Sequence, residues 1–281
     1  MKDSDTRIKK MLIAAAAVTI FSGMLPGSAL SGGDSVLVKG STTILPIAQI
    51  AAEEFMDRDP GITVSVQGGG SGMGIASLLD GTAQIANASR RIKAAEVEKA
   101  AAQGLKPVEH VIAMDGIAVV VHPSHPIGKL TREQIKAIYA GRISDWRDLG
   151  GESSRIVVVS RDTSSGTFET FAELALDKEK VRPDALTAAS NQAVVQIISQ
   201  TPGAIGYIGF GYVSPKVRAL VIDDTACTRE NIVSGTYALS RPLFMYSAGM
   251  PSGNVKRFID FILSTEGQRL VEQEGFIGLQ Q

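Results

Sequence analysis

Residues 156–171 read IVVVSRDTSSGTFETF, and the architecture of the whole chain can be inferred from this pattern. Four consecutive apolar residues, 156–159, are typical of a buried strand. Directly after them come Arg161, Asp162 and a run of serines and threonines around Gly166. Small hydroxyl residues and a glycine after a strand predict a turn into a helix, so polar groups gather where a buried strand ends.

Three further segments share this order of strand-like residues, then hydroxyls or glycines, then a helix start. They are VLVKGSTTILPIA (36–48), VSVQGGGSGMGIA (64–76) and IANASRRI (85–92). The first backbone N–H groups of a helix lack intrahelical partners and attract negative charge, and Ser and Thr add short donors. For any single segment an N-cap is the ordinary explanation. Four segments in one chain favour a shared oxyanion site, because ligands of α/β sheets bind at the carboxyl ends of strands.

Short apolar runs alternate with amphipathic stretches, such as SVLVKG before LPIAQIAAEEFMDR and ITVSVQ before GIASLLDG. This alternation predicts strands and helices in turn, and therefore an α/β architecture. Near the C-terminus, NVKRFIDFILSTEGQRLVEQ carries a helical stripe of apolar residues, which predicts one packed helix. No proline-rich or glycine-serine linker divides the chain, so two lobes would have to be joined by ordered strands. Residues 116–121 and 237–245 are the candidates for these crossings.

Composition limits the possible partners. The chain has 281 residues, of which 44% are hydrophobic and 20% charged, enough to fill the core of a globular protein. Its 28 Lys and Arg against 29 Asp and Glu leave a net charge of −1, which gives no basis for a nucleic-acid partner. The single cysteine, Cys227, is predicted to be a small buried side chain, and three histidines without HExxH or CxxC spacing predict neither metal site nor cofactor.

The N-terminus has the pattern of a secretory signal. Lys2, Arg7, Lys9 and Lys10 precede the apolar run MLIAAAAVTIFSGML, and Pro26 and small residues follow it. The run is shorter than the ~20 residues of a spanning helix. We therefore predict a signal peptide over residues 1–31, with cleavage near Ala29 or Ser31, and an exported, periplasmic protein.

Two arginines and two aspartates are the candidate charged residues of this site. The planar fork of Arg161 suits a tetrahedral oxyanion, and either Asp162 or Asp115 is placed to orient it. Arg90 is ambiguous, because Arg91 next to it indicates that the segment also meets solvent. Asp115 leads into an apolar strand, where capping a turn is the default role. As a site residue it would accept a hydrogen bond from a protonated oxyanion such as phosphate and reject sulfate.

Enzyme motifs are incomplete in this sequence. Met73 stands where a G-x-S-x-G elbow around Ser71 needs glycine, and no nucleotide-binding glycine motif occurs. Ser165 lacks an evident base, since His122 and His125 flank Pro123 in a predicted turn and are expected to face solvent. No catalytic residue is assigned, and a secreted phosphate-handling hydrolase stays the weaker alternative.

The segments GSTTILP, GGGSGMG, ASR, MDGIAVVV, IYAGRISDWRDLGG, SRDTSSGTFETF and GAIGYIGFGYV occur in this order. Over nearly the whole chain from about residue 35, this order resembles the periplasmic phosphate-binding proteins of ABC-type phosphate uptake systems, the PstS family. The resemblance implies a type II periplasmic binding-protein fold, with two α/β lobes joined by crossing strands. We expect lobe I at 35–118 plus 238–281 and lobe II at 119–237.

The resemblance also implies a site and a function. The predicted phosphate-binding residues are Ser41, Thr42, Thr43, Ser71, Gly72, Ser89, Arg90, Asp115, Arg161, Ser165, Gly166 and Thr167. Some family members carry an aspartate after Ala-Ser, where this chain has Arg90, so we expect Asp115 to accept the phosphate proton and Arg90 to add positive charge. The expected function is that of a monomeric, non-enzymatic receptor that delivers phosphate to a membrane permease. An envelope sensor, scavenger or adhesin of the same fold is the alternative.

Overall fold

The structure is a computed structural model that describes residues 35–279, and strands alternate with helices along this part as the sequence predicts. The predicted signal peptide, residues 1–31, lies outside the described residues. The strands are β1 Ser35–Gly40, β2 Thr63–Gln67, β3 Ile85–Ala88, β4 Val108–Val121, β5 Lys129–Leu130, β6 Val157–Arg161, β7 Leu186–Ala188, β8 Ala204–Gly209, β9 Arg218–Ala219, β10 Val221–Ile222 and β11 Ser240–Ser247. The α-helices are α1 Leu45–Arg58, α2 Ser71–Leu79, α3 Ala94–Ala102, α4 Arg132–Tyr139, α5 Gly166–Leu174, α6 Asn191–Gln200, α7 Arg229–Val233, α8 Gly253–Leu263 and α9 Thr265–Gln273.

Eight strands of the main sheet run in the order β2-β1-β3-β11-β4-β8-β6-β7, and β9 pairs with the free edge of β4 near its end. At each end of this order the strands are parallel and are connected by helices, as in other α/β sheets. The two central strands, β11 and β4, pair antiparallel with each other and with their outer neighbours. β4 is long enough to serve both halves, because residues 108–116 pair with β11 and residues 117–121 pair with β8.

Buried apolar side chains form separate clusters on the two sides of this central pair. One cluster draws on residues 117–239 together with Ile277, and the other two draw on residues 36–113 and 243–276. All described residues belong to one compact unit, so the two halves pack closely together. We propose that the clusters correspond to lobe II and lobe I with the expected boundaries. Buried residues pass from one cluster to the other between Ala113 and Ile117 and between Leu239 and Leu243, within a few residues of positions 118 and 238.

The C-terminal segment differs from the prediction of one helix. It forms two helices, because Ser264 leaves the helical conformation with ψ of 163° and its hydroxyl accepts a hydrogen bond from the Gly267 N–H at 3.2 Å. A β-carbon at Gly267 would lie 2.1 Å from the Phe261 carbonyl oxygen. The apolar stripe is continuous in the sequence, but a serine cap and a close backbone approach interrupt the helix.

Two side chains outside the main sheet also bear on the predictions. His125 was expected to face solvent, and this is wrong: it is 6% exposed, and its ring packs on Trp146 with centroids 4.1 Å apart. Cys227 is buried as predicted, and burial raises the pKa of its thiol to about 12. Within residues 35–279, no helix combines the length and apolar character needed to cross a membrane.

The junction between α8 and α9 gives a test of the packing. Gly267→Ala should lower the free energy of unfolding by about 1–3 kcal/mol, because its methyl group would collide with the backbone of α8. Gly61→Ala is the control, since a β-carbon there meets nothing within 4 Å. Urea unfolding of both variants measures the difference. Equal stabilities would contradict the packing described here.

Candidate functional site

The predicted hydroxyl segments meet at the carboxyl ends of strands. Ser41 follows β1, Ser89 follows β3 and Arg161 is the last residue of β6. β1 and β3 are parallel and end at the same edge, whereas β6 runs antiparallel to them, so its carboxyl end approaches from the other half of the sheet. Ligands of α/β folds bind at the carboxyl ends of strands. Ser71 is the first residue of α2 and Thr167 lies in the first turn of α5, so helix N-termini from both halves also meet here.

Four buried hydroxyl groups form the centre of this polar cluster. The Oγ1 atoms of Thr43 and Thr167 are 2.9 Å apart, and Thr167 Oγ1 lies 3.5 Å from Ser89 Oγ. Ser71 Oγ is 3.3 Å from Ser89 Oγ and accepts a hydrogen bond from the Ser89 N–H at 3.0 Å. Thr43, Ser71 and Ser89 belong to the part proposed as lobe I and Thr167 to the part proposed as lobe II, so the cluster joins these two parts of the chain.

The start of α5 is fitted closely against lobe I. A β-carbon on Gly166 would lie 2.3 Å from Ser71 Oγ and 2.8 Å from Ser89 Oγ, so only glycine fits. The hydroxyl of Ser165 accepts a hydrogen bond from the Phe168 N–H at 3.3 Å and caps the helix. The ordinary N-cap explanation is therefore correct for this hydroxyl, while the helix it caps still points its N-terminus into the cluster.

Arg161 supplies a buried cation and is 3% exposed. Its Nε donates to the Ala188 carbonyl at 2.9 Å, and its Nη2 donates to Thr42 Oγ1 at 3.2 Å. Asp162 Oδ2 lies 3.8 Å from Nη2, so Asp162 is the neighbouring carboxylate. Burial lowers the pKa of Arg161 from its ordinary value. Its Nη1 atom is buried and has no hydrogen-bond partner, which makes it a donor suited to an oxyanion.

A second buried cation, Arg241, was not predicted from the sequence. On β11 it stands directly opposite Asp115 on β4, and its Nε and Nη2 donate to Asp115 Oδ2 at 3.0 and 2.8 Å. Nη2 also donates to Thr167 Oγ1 at 3.0 Å, and Nη1 donates to the Ser89 carbonyl at 3.0 Å. No local pattern marks Arg241, because its partner lies 126 positions away in the chain.

Asp115 is fully buried between this arginine and the backbone. Its other oxygen, Oδ1, accepts from the Phe210 N–H at 2.8 Å. Burial raises the pKa of Asp115 from its ordinary value, while the charge of Arg241 opposes that effect. Both carboxylate oxygens of Asp115 already accept hydrogen bonds, so Asp115 is linked to the hydroxyl cluster through Arg241.

Asn191 is a second residue that the sequence analysis missed. It is the first residue of α6, fully buried, and its Nδ2 donates to Thr43 Oγ1 at 3.1 Å and to Thr42 Oγ1 at 3.3 Å. Its Oδ1 accepts from the Gly209 N–H at 3.1 Å. A signal was available, because LTAASNQAVV has the same order of strand, serine and helix start as the four recognised segments.

Arg90 lies apart from the hydroxyl cluster. Its guanidinium donates to both oxygens of Glu96 at 2.8 and 2.7 Å and to the Arg91 carbonyl at 2.9 Å, and it forms an ion pair with Glu169 at 3.0 Å. Two carboxylates thus neutralise this cation. The geometry does not support the prediction that Arg90 adds positive charge to an anion site.

The glycine loop before α2 is joined to lobe II through Ser164. The Gly72 N–H donates to the Ser164 carbonyl at 2.9 Å, and the Ser164 hydroxyl donates to the Gly69 carbonyl at 3.0 Å. Gly70 has φ of +100°, and a β-carbon there would lie 2.4 Å from Ser164 Oγ. Ser164 therefore links the glycine loop to the turn before α5, and the Gly72 N–H is already used in this link.

The site as a whole carries a small positive excess. Two buried guanidinium groups, Arg161 and Arg241, face one buried carboxylate, Asp115, and the other groups are neutral donors and acceptors. Neutral donors are effective in a dry site, because hydrogen bonds are stronger at low dielectric than in water. This arrangement suits a small oxyanion that accepts many hydrogen bonds.

Comparison with known proteins identifies first the superfamily of this chain and then its family. A model of the PBP superfamily domain matches residues 27–266. The phosphate-binding protein PstS of Bacillus subtilis is 34% identical over 95% of this chain and 90% of its own length, and that of Pseudomonas aeruginosa is 32% identical over the same shares. The chain therefore belongs to the PBP superfamily and, within it, to the family of phosphate-binding proteins PstS.

Solved structures agree with this assignment. A substrate-binding protein of a putative phosphate ABC transporter from Clostridium perfringens, with bound phosphate, is 36% identical with a TM-score of 0.82, over 88% of this chain and all of that one. An ABC-type phosphate transport receptor from Vibrio cholerae is 33% identical with a TM-score of 0.73, over 87% of this chain and all of that one. The expected fold, two α/β lobes joined by crossing strands, is confirmed.

The buried pair of Asp115 and Arg241 gives a test of the site electrostatics. Arg241→Met should destabilise the fold by about 3–5 kcal/mol, because it leaves a buried carboxylate without its counter-charge. The folded state would then hold a proton that the unfolded chain releases, so the loss should be large at neutral pH and shrink toward about pH 4. Urea unfolding at several pH values measures it.

The double variant Asp115→Asn with Arg241→Met is the matched control for this experiment. It removes both charges and keeps an acceptor for the Phe210 N–H, so it should be more stable at neutral pH than Arg241→Met alone. A pH-independent loss in Arg241→Met, equal to that in the double variant, would contradict a charged buried pair.

Proposed function

We propose that this chain binds inorganic phosphate in the cleft between its lobes and delivers it to an ABC-type membrane permease. The observation that carries the proposal is Arg161, a buried guanidinium with one unpartnered donor beside hydroxyls at several helix starts. The related PstS proteins and the phosphate-bound structure from Clostridium perfringens support phosphate as the anion.

The proposed ligand set differs from the sequence prediction at five positions: Gly72, Arg90 and Asp115 are left out, the last because both of its oxygens already accept hydrogen bonds, and Asn191 and Arg241 are added. It consists of Ser41, Thr42, Thr43, Ser71, Ser89, Arg161, Ser165, Gly166, Thr167, Asn191 and Arg241. Arg90 is left out because two carboxylates hold it, and Gly72 is left out because Ser164 uses its N–H. Neither α1 nor α2 has a side-chain cap, so the first-turn N–H groups of Leu45, Ile47, Ser71 and Met73 are available to the ligand, whereas Pro46 has none and that of Gly72 is used by Ser164.

The charge balance fits a phosphate that carries one or two negative charges. Hydroxyl groups can donate to its oxygens or accept from its proton, whereas guanidinium groups can only donate. In the protein itself these hydroxyls contact one another, so each of them has a neighbour as its partner and can turn toward the ligand instead. Closure of the lobes would then surround the phosphate and exclude water.

The role is proposed to be non-enzymatic. The hydroxyl of Ser165 accepts a helix N–H, and none of the three histidines contacts it: His110 contacts Ser247, His122 contacts Ser124 and His125 packs on Trp146. A serine nucleophile needs a base within hydrogen-bond reach. Measurable phosphatase turnover abolished by Ser165→Ala would overturn this part of the proposal.

The cellular setting is also a proposal. We propose a monomeric, exported protein in the periplasm that hands phosphate to a permease, rather than a sensor, scavenger or adhesin. Phosphate uptake in a strain lacking the gene, complemented by the chain, separates these roles, because only the transport receptor restores uptake. Restored uptake supports the proposal, and phosphate binding without restored uptake contradicts the transport role.

Calorimetry of the purified mature chain against phosphate, sulfate, molybdate and arsenate tests the ligand. Phosphate should bind tightly, and Arg161→Met should weaken it by at least about 100-fold, because a buried charged donor is lost. Arg155→Met is the control, since this exposed arginine in lobe II pairs only with Asp184 among the described residues. Tight sulfate binding with no phosphate heat would overturn the proposed function.

The role of Asp115 can be separated from that of Arg241 by one substitution. If Asp115 accepts the phosphate proton, Asp115→Asn removes that acceptor. If Asp115 instead holds Arg241 in position, the same substitution removes the anchor of Arg241. We expect affinity for phosphate to fall by about 10-fold or more with no gain for sulfate, because both Asp115 oxygens already have partners. A gain in sulfate affinity, measured by calorimetry, would instead support the proton-acceptor role predicted from the sequence.

A further inference from the structure

Glu169 in the first turn of α5 joins the two lobes through charged groups that lie outside the hydroxyl cluster. Its Oε1 lies 3.0 Å from Arg90 Nε and its Oε2 lies 2.5 Å from Lys93 Nζ. We propose that Glu169, Arg90 and Lys93 form an ionic latch that holds the start of α5 against lobe I and slows the release of phosphate. This proposal rests on the proposed function.

The Arg90 guanidinium is held in place by its own part of the chain. Glu96 accepts two hydrogen bonds from Arg90, and the Arg91 carbonyl accepts a third. Glu96 also accepts from the Lys93 N–H at 2.8 Å and closes the capping box of α3. Because Arg90 is fixed by its own lobe, pairing with Glu169 costs little further side-chain entropy.

The position of Glu169 connects the latch to the ligand site. It lies less than one turn after Gly166 and Thr167, whose backbone and hydroxyl belong to the proposed phosphate set. A second contact also ties α5 to the segment after β3, because the Thr170 hydroxyl donates to the Ser89 carbonyl at 3.4 Å. A rigid helix transmits a restraint on its first turn directly to its N-terminus, so opening the cleft requires breaking these ion pairs.

Burial distinguishes this group from the other ion pairs of the surface. The side chains of Arg90 and Glu169 are 7% and 18% exposed, whereas Lys129 and Asp224 are 71% and 81% exposed. Exposed pairs are strongly screened and add little, and partly buried pairs are screened much less. Lys93 is 54% exposed, so its share of the latch should be smaller than that of Arg90.

The test compares two charge-neutral variants of α5. Glu169→Gln should raise the rate of phosphate release by roughly threefold to tenfold, since opening the cleft would no longer require breaking the ion pairs with Arg90 and Lys93. Glu173→Gln is the control. Glu173 lies one turn further along α5, lines the same surface groove as Arg90, Lys93 and Glu169, and has no ion pair among the described residues. Release of radiolabelled phosphate from the mature chain, chased with unlabelled phosphate, measures the rate, and calorimetry measures the affinity.

Two further readouts separate a latch from a general effect on folding. The increase in release rate should shrink at about 1 M NaCl, and Lys93→Gln combined with Glu169→Gln should release phosphate no faster than Glu169→Gln alone. The thermal midpoint of the ligand-free protein should match that of Glu173→Gln. A loss of helix stability would lower this midpoint, and an equal effect of both α5 variants would overturn the latch.

The outcomes also separate this proposal from the proposed function. If the unaltered chain gives no phosphate heat, the proposed function fails and the latch fails with it. If the unaltered chain binds phosphate and Glu169→Gln releases it at the same rate as Glu173→Gln, only the latch is overturned.

Discussion

The antiparallel pairing of β4 with β11 is the constraint on which the rest of the structure depends. These two strands form the centre of the sheet and separate the apolar clusters of the two lobes. Their register places Asp115 opposite Arg241, and the buried ion pair fixes a guanidinium that reaches Thr167 on α5. A shift of one residue in the pairing of β4 with β11 would place Asp115 and Arg241 on opposite faces of the sheet. The register of the crossing strands and the chemistry of the site are therefore set together.

The site depends on neutral groups more than on charge. Hydroxyls from the starts of α1, α2 and α5 and from the end of β3 approach one another closely enough to share hydrogen bonds, and glycine at position 166 makes this approach possible. Such groups can exchange a bond to a neighbour for a bond to an oxyanion, whereas a buried unpaired charge would be costly in the same place. Arg161 and Arg241 supply the small positive excess, and Asp115 and backbone carbonyls hold them in position.

Much of the fold and part of the site could be predicted from local patterns. β1 and α1 have the bounds that the apolar runs indicate, and the hydroxyl segments lie at strand ends as the alternation of strands and helices requires. The predictions failed in two places, once because of a distant contact and once because of a local cap that the apolar stripe does not reveal. His125 looks like a turn residue but packs on Trp146, and the C-terminal stripe is broken by a cap and a close backbone contact at Gly267.

The sequence by itself determined the α/β class, the segments that carry donors at strand ends and the likeness to phosphate-binding proteins, because each of these rests on spacing within a few residues. Only the tertiary structure decided which cations face the cluster. Arg90 follows a recognised segment and is neutralised by Glu96 and Glu169, while Arg241 has no local signal and lies within the site. The physical reason is that a charged side chain is directed by its partner, and these partners are brought together by strand pairing and helix packing over long separations in the chain.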